Sequence, residues 1–131
     1  YDCFADDTGL EVDALNGQPG VFSKRFAGLN ASSDDNIDKL LEMLGNNTNR
    51  AARFKTVISL SKNSEIITFE GICEGNIGYE RMGDLGFGYD PVFIPKNQNI
   101  SFGQMSLSEK NLIAHRAKAI NKLVDYLTNL Y

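Results

Sequence analysis

Two runs rich in Val, Ile, Thr and Phe, residues 53–60 and 65–70, are separated only by the polar stretch 61–64. β-Branched and aromatic side chains favour a pleated, half-buried backbone. Four polar residues between them leave room for a turn but not for a crossover. The pair therefore predicts an antiparallel hairpin, and the rest of the chain has to pack around it. Residues 72–77 are placed to extend the same sheet. Upstream, Leu10, Val12 and Ala14 alternate with Glu11 and Asp13, a period of two that predicts a strand over 10–15. Asn16-Gly17 and Pro19-Gly20 then punctuate it as turns. Val92-Phe93-Ile94, bounded by Pro91 and Pro95, reads as a short strand at a sheet edge, where a residue without an N–H is tolerated.

Helical periodicity appears twice. Ser32-Ser33-Asp34-Asp35 supplies N-cap candidates and acid for a first turn. Ile37, Leu40, Leu41 and Leu44 follow at i, i+3, i+4 and i+7, with Gly45 placed to stop the helix. Ser106 to Glu109 has capping-box spacing, and Ile113, Ile120, Leu123, Val124 and Leu127 share one apolar face after it. The order strand, helix, hairpin, strand, helix predicts an α/β domain around a mixed sheet. A chain of 131 residues without repeats or linkers fits one domain, 1–131.

Bulk properties narrow the function. A formal charge of −4 argues against binding along a nucleic-acid backbone, which needs a basic face. No apolar stretch approaches the ~18 residues of a membrane helix, and the N-terminus does not resemble a signal peptide. Cys3 and Cys73 show no metal-ligand spacing and read as reduced thiols of an intracellular, cytoplasmic protein.

Four segments hold candidate chemistry. Asp6 and Asp7, inside Ala5-Asp6-Asp7-Thr8-Gly9, are adjacent acids that repel unless compensated. Magnesium prefers carboxylate oxygens and keeps waters, so the pair can hold it against a triphosphate, and a carboxylate there can accept a proton from water. The plainer alternative is an Asp-rich turn. In Gly86-Phe87-Gly88-Tyr89-Asp90-Pro91, glycines flank an aromatic that offers a face to a purine; alone, such a segment is more often a turn. Lys110, His115 and Arg116 form a third group. A continuous helix separates Lys110 from His115 by about 140°, so both face one ligand only if the helix restarts near Leu112 or the lysine reaches round. Lys24-Arg25, in residues 20–28, is a basic pair that suits phosphate or plain solvent.

In this order the segments resemble the inosine triphosphate pyrophosphatase family. The resemblance rests on residues 5–12, Pro19-Gly20-Val21, residues 24–28, Phe69-Glu70-Gly71, residues 86–93, Glu109-Lys110-Asn111 and His115-Arg116-Ala117. It implies an elongated, two-lobed α/β fold with substrate in the cleft between lobes, usually as a homodimer. It further implies cleavage between the α- and β-phosphates of ITP, dITP or XTP, releasing the monophosphate and pyrophosphate with Mg2+ as cofactor. Asp7 then matches the proton acceptor and metal ligand, with Asp6 beside it. Thr8 matches a substrate contact, Phe87, Gly88, Tyr89 and Asp90 a base-binding loop, and Lys110, His115 and Arg116 further substrate contacts. Lys110 is expected to neutralise phosphate charge, and Arg116 with His115 to donate to O6 of a 6-oxo purine.

Three positions depart from the family pattern: Thr8 and Ala114 stand where Ser is usual, and Gln104 where an acid is frequent. The family's N-terminal Ser/Thr-x-Asn-x-x-Lys phosphate loop and an upstream metal-binding Glu are not in this sequence. The chain thus reads as the C-terminal majority of such a fold, not expected to turn over substrate alone. Other readings compete: a purine-nucleotide-binding module without catalysis, a scaffold fragment whose glycines serve only turns, and a related pyrophosphatase for modified or pyrimidine nucleotides.

Overall fold

The structure, a computed structural model, describes residues 3–130. Strands β3 (Ala51–Lys62) and β4 (Glu65–Ile77) form the hairpin, turning through Asn63 and Ser64, both at positive φ. A two-residue turn of that hand matches the right-handed twist of its strands. Pairing runs unbroken from Lys62–Glu65 to Ala51–Asn76, so residues 72–77 belong to β4 itself. Strand β1 (Cys3–Val12) pairs with β3 from Cys3–Ser61 to Val12–Ala52. The short strands β2 (Pro19–Gly20) and β5 (Phe93–Pro95) complete the order β2-β1-β3-β4-β5. β5 is an edge strand, as suits Pro95, which has no N–H to offer a further neighbour.

Two expectations need correction. The strand read over 10–15 begins much earlier and ends at Val12; Asp13–Leu15 is a 3-10 turn. Residues 5–9 show no apolar alternation because Asp6 and Thr8, on the inward face, line a cavity rather than a core. The sheet is also not mixed: all pairings among the described residues are antiparallel. The segment joining β1 to β3 contains helix α1 (Ser33–Leu44), yet it returns to the end it left, since Val12 lies opposite Ala52. A parallel neighbour would need a crossover along the whole sheet.

Helix α1 is capped as its sequence dictates. Asp35 N–H donates to Ser32 Oγ, Ser32 N–H donates to Asp35 Oδ2, and Gly45 N–H closes the last turn on Leu41. Beyond it, Arg50 is 5% exposed and donates to the carbonyls of Gly45, Asn47, Ile77 and Gly78. A cation suits a helix C-terminus, and this one ties α1 to the end of β4.

The even-numbered residues of β3 from Ala52 to Leu60 are buried, and both long helices cover that face. Helix α2 (Leu107–Asn111) and helix α3 (His115–Leu130) are separate, with Leu112–Ala114 between them. The restart rotates α3 relative to the expected face. Leu123 and Ala119 pack on Ile58, Leu60 and Phe69, whereas Ile120, Val124 and Leu127 are exposed. Cys73 is a buried free thiol, and the side chain of Cys3 lies outside the description. Among the described residues no helix is long and apolar enough to cross a membrane.

Candidate active site

A cavity of about 460 Å³ opens where β1, the turn after β2, the loop 86–90 and the α2–α3 junction meet. Asp6, Asp7, Thr8, Phe87, Gly88, Tyr89, Asp90, Lys110, His115 and Arg116 all line it. The chain breaks after α2, the first of the two routes by which Lys110 and His115 can reach one cavity.

The loop 86–90 is held from inside. Asp90 is 2% exposed; its Oδ2 accepts from Phe87 N–H at 3.0 Å and pairs with Lys110 Nζ at 2.6 Å. A Cβ on Gly86 would fall 2.2 Å from that same oxygen, at φ +76, so only glycine fits. Phe87 is thereby displayed with 72% of its surface exposed, the Lys110 ammonium 4.5 Å from its ring centroid. The lysine is committed to a carboxylate and a ring, so its visible work is to brace this loop. Tyr89 is likewise committed. It is buried, its hydroxyl donates to Ser23 O at 2.6 Å, and burial pushes its pKa above the usual phenol range.

β1 divides its two acids. Neighbouring side chains of an unbulged strand leave opposite faces, and the β1–β3 register is continuous. Asp6 shares the face of Thr8, whose Oγ1 lies 2.8 Å from Thr56 Oγ1, and its Oδ2 pairs with Arg116 Nη2 at 2.7 Å. Asp7 is exposed and shares the outer face with the Lys55–Glu70 and Arg53–Glu74 pairs. The two carboxylates therefore do not stand side by side as one ion's ligands. Among the described residues no group of three or more His, Cys, Asp or Glu converges as a metal cluster. β2 covers β1 only at Leu10 and Glu11, so among those residues the strand edge beside Asp7 is open.

His115 stacks on Phe54, centroids 4.7 Å apart at 20°, and its Nδ1 is buried with no partner among the described residues. Burial lowers its pKa to about 4, helped by the charges of Lys110, Arg116 and Lys118. The ring is neutral at neutral pH. Between pH 4 and 6.5 the unfolded chain binds the proton more readily, so this residue's contribution is full above 6.5 and is lost as pH falls toward 4. Replacing His115 with Phe keeps the stack and is expected to remove a stability slope of up to roughly 1.4 kcal/mol per pH unit. Urea unfolding of both proteins at pH 7 and pH 5 measures it; equal slopes would refute the neutral ring.

Set beside known proteins, residues 1–126 match the model of the Ham1 family. The chain belongs to the Ham1 family. It is 54% identical over 128 residues to the dITP/XTP pyrophosphatase of Flavobacterium johnsoniae, covering 98% of this chain and 67% of that protein. The same-named protein of Staphylococcus aureus strain MRSA252 is 48% identical over 94% of this chain and 64% of its own length. Among solved structures, the Staphylococcus aureus Ham1 protein superposes at a TM-score of 0.96 with 45% identity, over 99% of this chain and 68% of that one. A HAM1 protein from Coxiella burnetii gives 0.94 and 40%, over 98% and 68%. The Ham1 chain thus spans about two thirds of the length of these relatives.

The Ham1 cavity also contains residues that motif reading passed over. Asn36 accepts from Ala27 N–H and donates to Lys24 O, fixing the turn that carries Lys24. Its signal was present: Asn36 sits on the buried stripe with Leu40 and Leu44, where a polar side chain needs a reason. Ser23 Oγ accepts from Leu10 N–H and donates to Gly20 O, tying the same turn to β1. Lys24 is the cavity cation without an ion-pair partner among the described residues, since Lys110 has Asp90 and Arg116 has Asp6.

Proposed function

We propose that this protein is a nucleoside triphosphate pyrophosphatase acting on ITP, dITP and XTP, releasing the nucleoside monophosphate and pyrophosphate. What carries the reading is one cavity combining an exposed Phe87, a neutral His115, a guanidinium and Lys24, which has no ion-pair partner among the described residues. The relatives named dITP/XTP pyrophosphatase support it.

On this reading Phe87 stacks on the purine, worth ~1–3 kcal/mol. Arg116, with His115 as a neutral neighbour, donates to the 6-oxo group. An adenine amino group there leaves the donor unpaired, at a cost of ~1–3 kcal/mol. Lys24, rather than the braced Lys110, takes up triphosphate charge. Asp7 orients and deprotonates the attacking water from the open strand edge. Magnesium, when bound, supplies charge neutralisation on the phosphate oxygens. Among the described residues the exposed carboxylate of Asp7 would hold it, and phosphate and water would complete a magnesium shell. The homodimer is part of the same proposal, supported by exposed Val21, Phe22 and Leu29 on the turn after β2.

The test is product analysis on the full-length protein carrying this chain. ITP and magnesium should yield IMP and pyrophosphate, with little product from GTP or ATP, from a species of twice the chain mass. IDP and phosphate, or no product at all, would overturn the assignment.

A further inference from the structure

The Asp6–Arg116 pair is exposed on both sides, with 38% and 57% of the side-chain surface accessible. An ion pair in such a setting adds little to stability. Its consequence is geometric. Arg116 is the second residue of α3, where the helix dipole is already positive and a cation is disfavoured. Lys118, two residues on, adds to that field. Helix stability therefore does not explain an arginine here. α3 starts close against the sheet: its first residue, His115, puts its carbonyl over Gly71 of β4 with no space for a side chain between them. The base of Arg116 is thereby fixed, while its long side chain is free to swing.

Asp6 removes that freedom. The β1 register sets it opposite Ile58, on the face that α3 covers, and its Oδ2 is 2.7 Å from Nη2 of the guanidinium. A guanidinium has five donors in a rigid fork. The contact occupies one nitrogen, Nη2, and leaves the remaining donors available in the cavity that both residues line.

We propose that Asp6 is the positioning residue for Arg116, aiming its free donors at the oxygen acceptor of a purine nucleotide, and is not a ligand of the metal. The proposal rests on the pyrophosphatase reading for its substrate, but not for its geometry. Losing the aim weakens binding more than chemistry, because Asp6 touches no reacting atom. A misplacement of about 1 Å costs up to roughly 100-fold, and loss of uniform binding raises KM with kcat retained.

The experiment uses D6N, D6A and D6E in the full-length protein, alone and combined with R116A. D6N and D6A are expected to raise KM for ITP between about 10- and 100-fold, with kcat within about threefold and ITP-over-ATP preference reduced. D6E should restore part of the loss. D6A should add nothing on the R116A background. The magnesium concentration for half-maximal rate should not move. A lowered kcat with a raised magnesium requirement, or additive losses in the double variant, would make Asp6 a metal ligand and overturn the proposal; so would unchanged kinetics. The Arg116 guanidinium Nη–H NMR signals, read without nucleotide, should show slowed exchange or restricted rotation that is lost in D6N, because the contact runs through Nη2. That readout survives even if the wild-type protein hydrolyses nothing, which separates failure of this inference from failure of the pyrophosphatase reading.

Discussion

Gly71→Ala is expected to destabilise the protein by at least about 3 kcal/mol, and Gly71→Val by more. A Cβ at this position of β4 would lie 1.9 Å from His115 O, 2.5 Å from Ala119 N and 3.0 Å from His115 C. All three are backbone atoms of α3, so no side-chain rotation relieves the clash. Overpacking a core, backbone shifts included, typically costs ~1–3 kcal/mol and occasionally more, and a clash with three backbone atoms belongs at or beyond the upper end. Here the whole first turn of α3 has to retreat. It takes with it the contacts of Ala119 and Leu123 to Ile58, Leu60 and Phe69, the His115–Phe54 stack and the reach of Arg116 to Asp6. Urea unfolding measures the first effect, and loss of the Asp6–Arg116 coupling the second. An alanine variant within about 0.5 kcal/mol of wild type would show that α3 does not pack at this depth.

The same contact explains what could and could not be read from the sequence. The hairpin, the cap and stop of α1 and the edge position of β5 were legible because local chemistry decides each. A positive-φ turn, a Ser–Asp capping box and a proline-bounded strand are all short-range devices. The direction of β1 and the rotation of α3 were not, because distant partners decide them. Ile120, Val124 and Leu127 form a plausible apolar stripe with Leu123, yet the restart at His115 and the seat at Gly71 turn three of the four outward. The site divides in the same way. Many residues lining the cavity fall in the motifs, though Asn36 does not, and the commitments of those residues were not legible. Asp90 binding Lys110, Ser23 receiving the Tyr89 hydroxyl and Asp6 holding Arg116 join positions 20, 66 and 110 residues apart. Nothing in the local pattern distinguishes a lysine that meets phosphate from one that braces a loop.

The last expected result concerns Asp7, which the strand separates from its neighbour Asp6. Asp7→Asn should lower kcat for ITP by ~10²–10⁴, the range that a positioned general base supplies. Nucleotide binding should persist, because Phe87, Lys24 and Arg116 are untouched. Stability should stay within about 0.5 kcal/mol of wild type, as for a surface substitution: Asp7 is exposed, and Asn preserves its shape within the unbroken β1 ladder. Asn keeps an oxygen that can accept a hydrogen bond, so orientation of water is partly retained while proton acceptance is lost. Single-turnover hydrolysis of ITP beside equilibrium binding separates these contributions. A large drop in the chemical step with unchanged affinity would assign Asp7 to the reaction and fit Asp6 as the residue that aims the arginine. Full activity in the variant would remove Asp7 from the mechanism, and the general base would then have to come from a group other than this strand's outward acid.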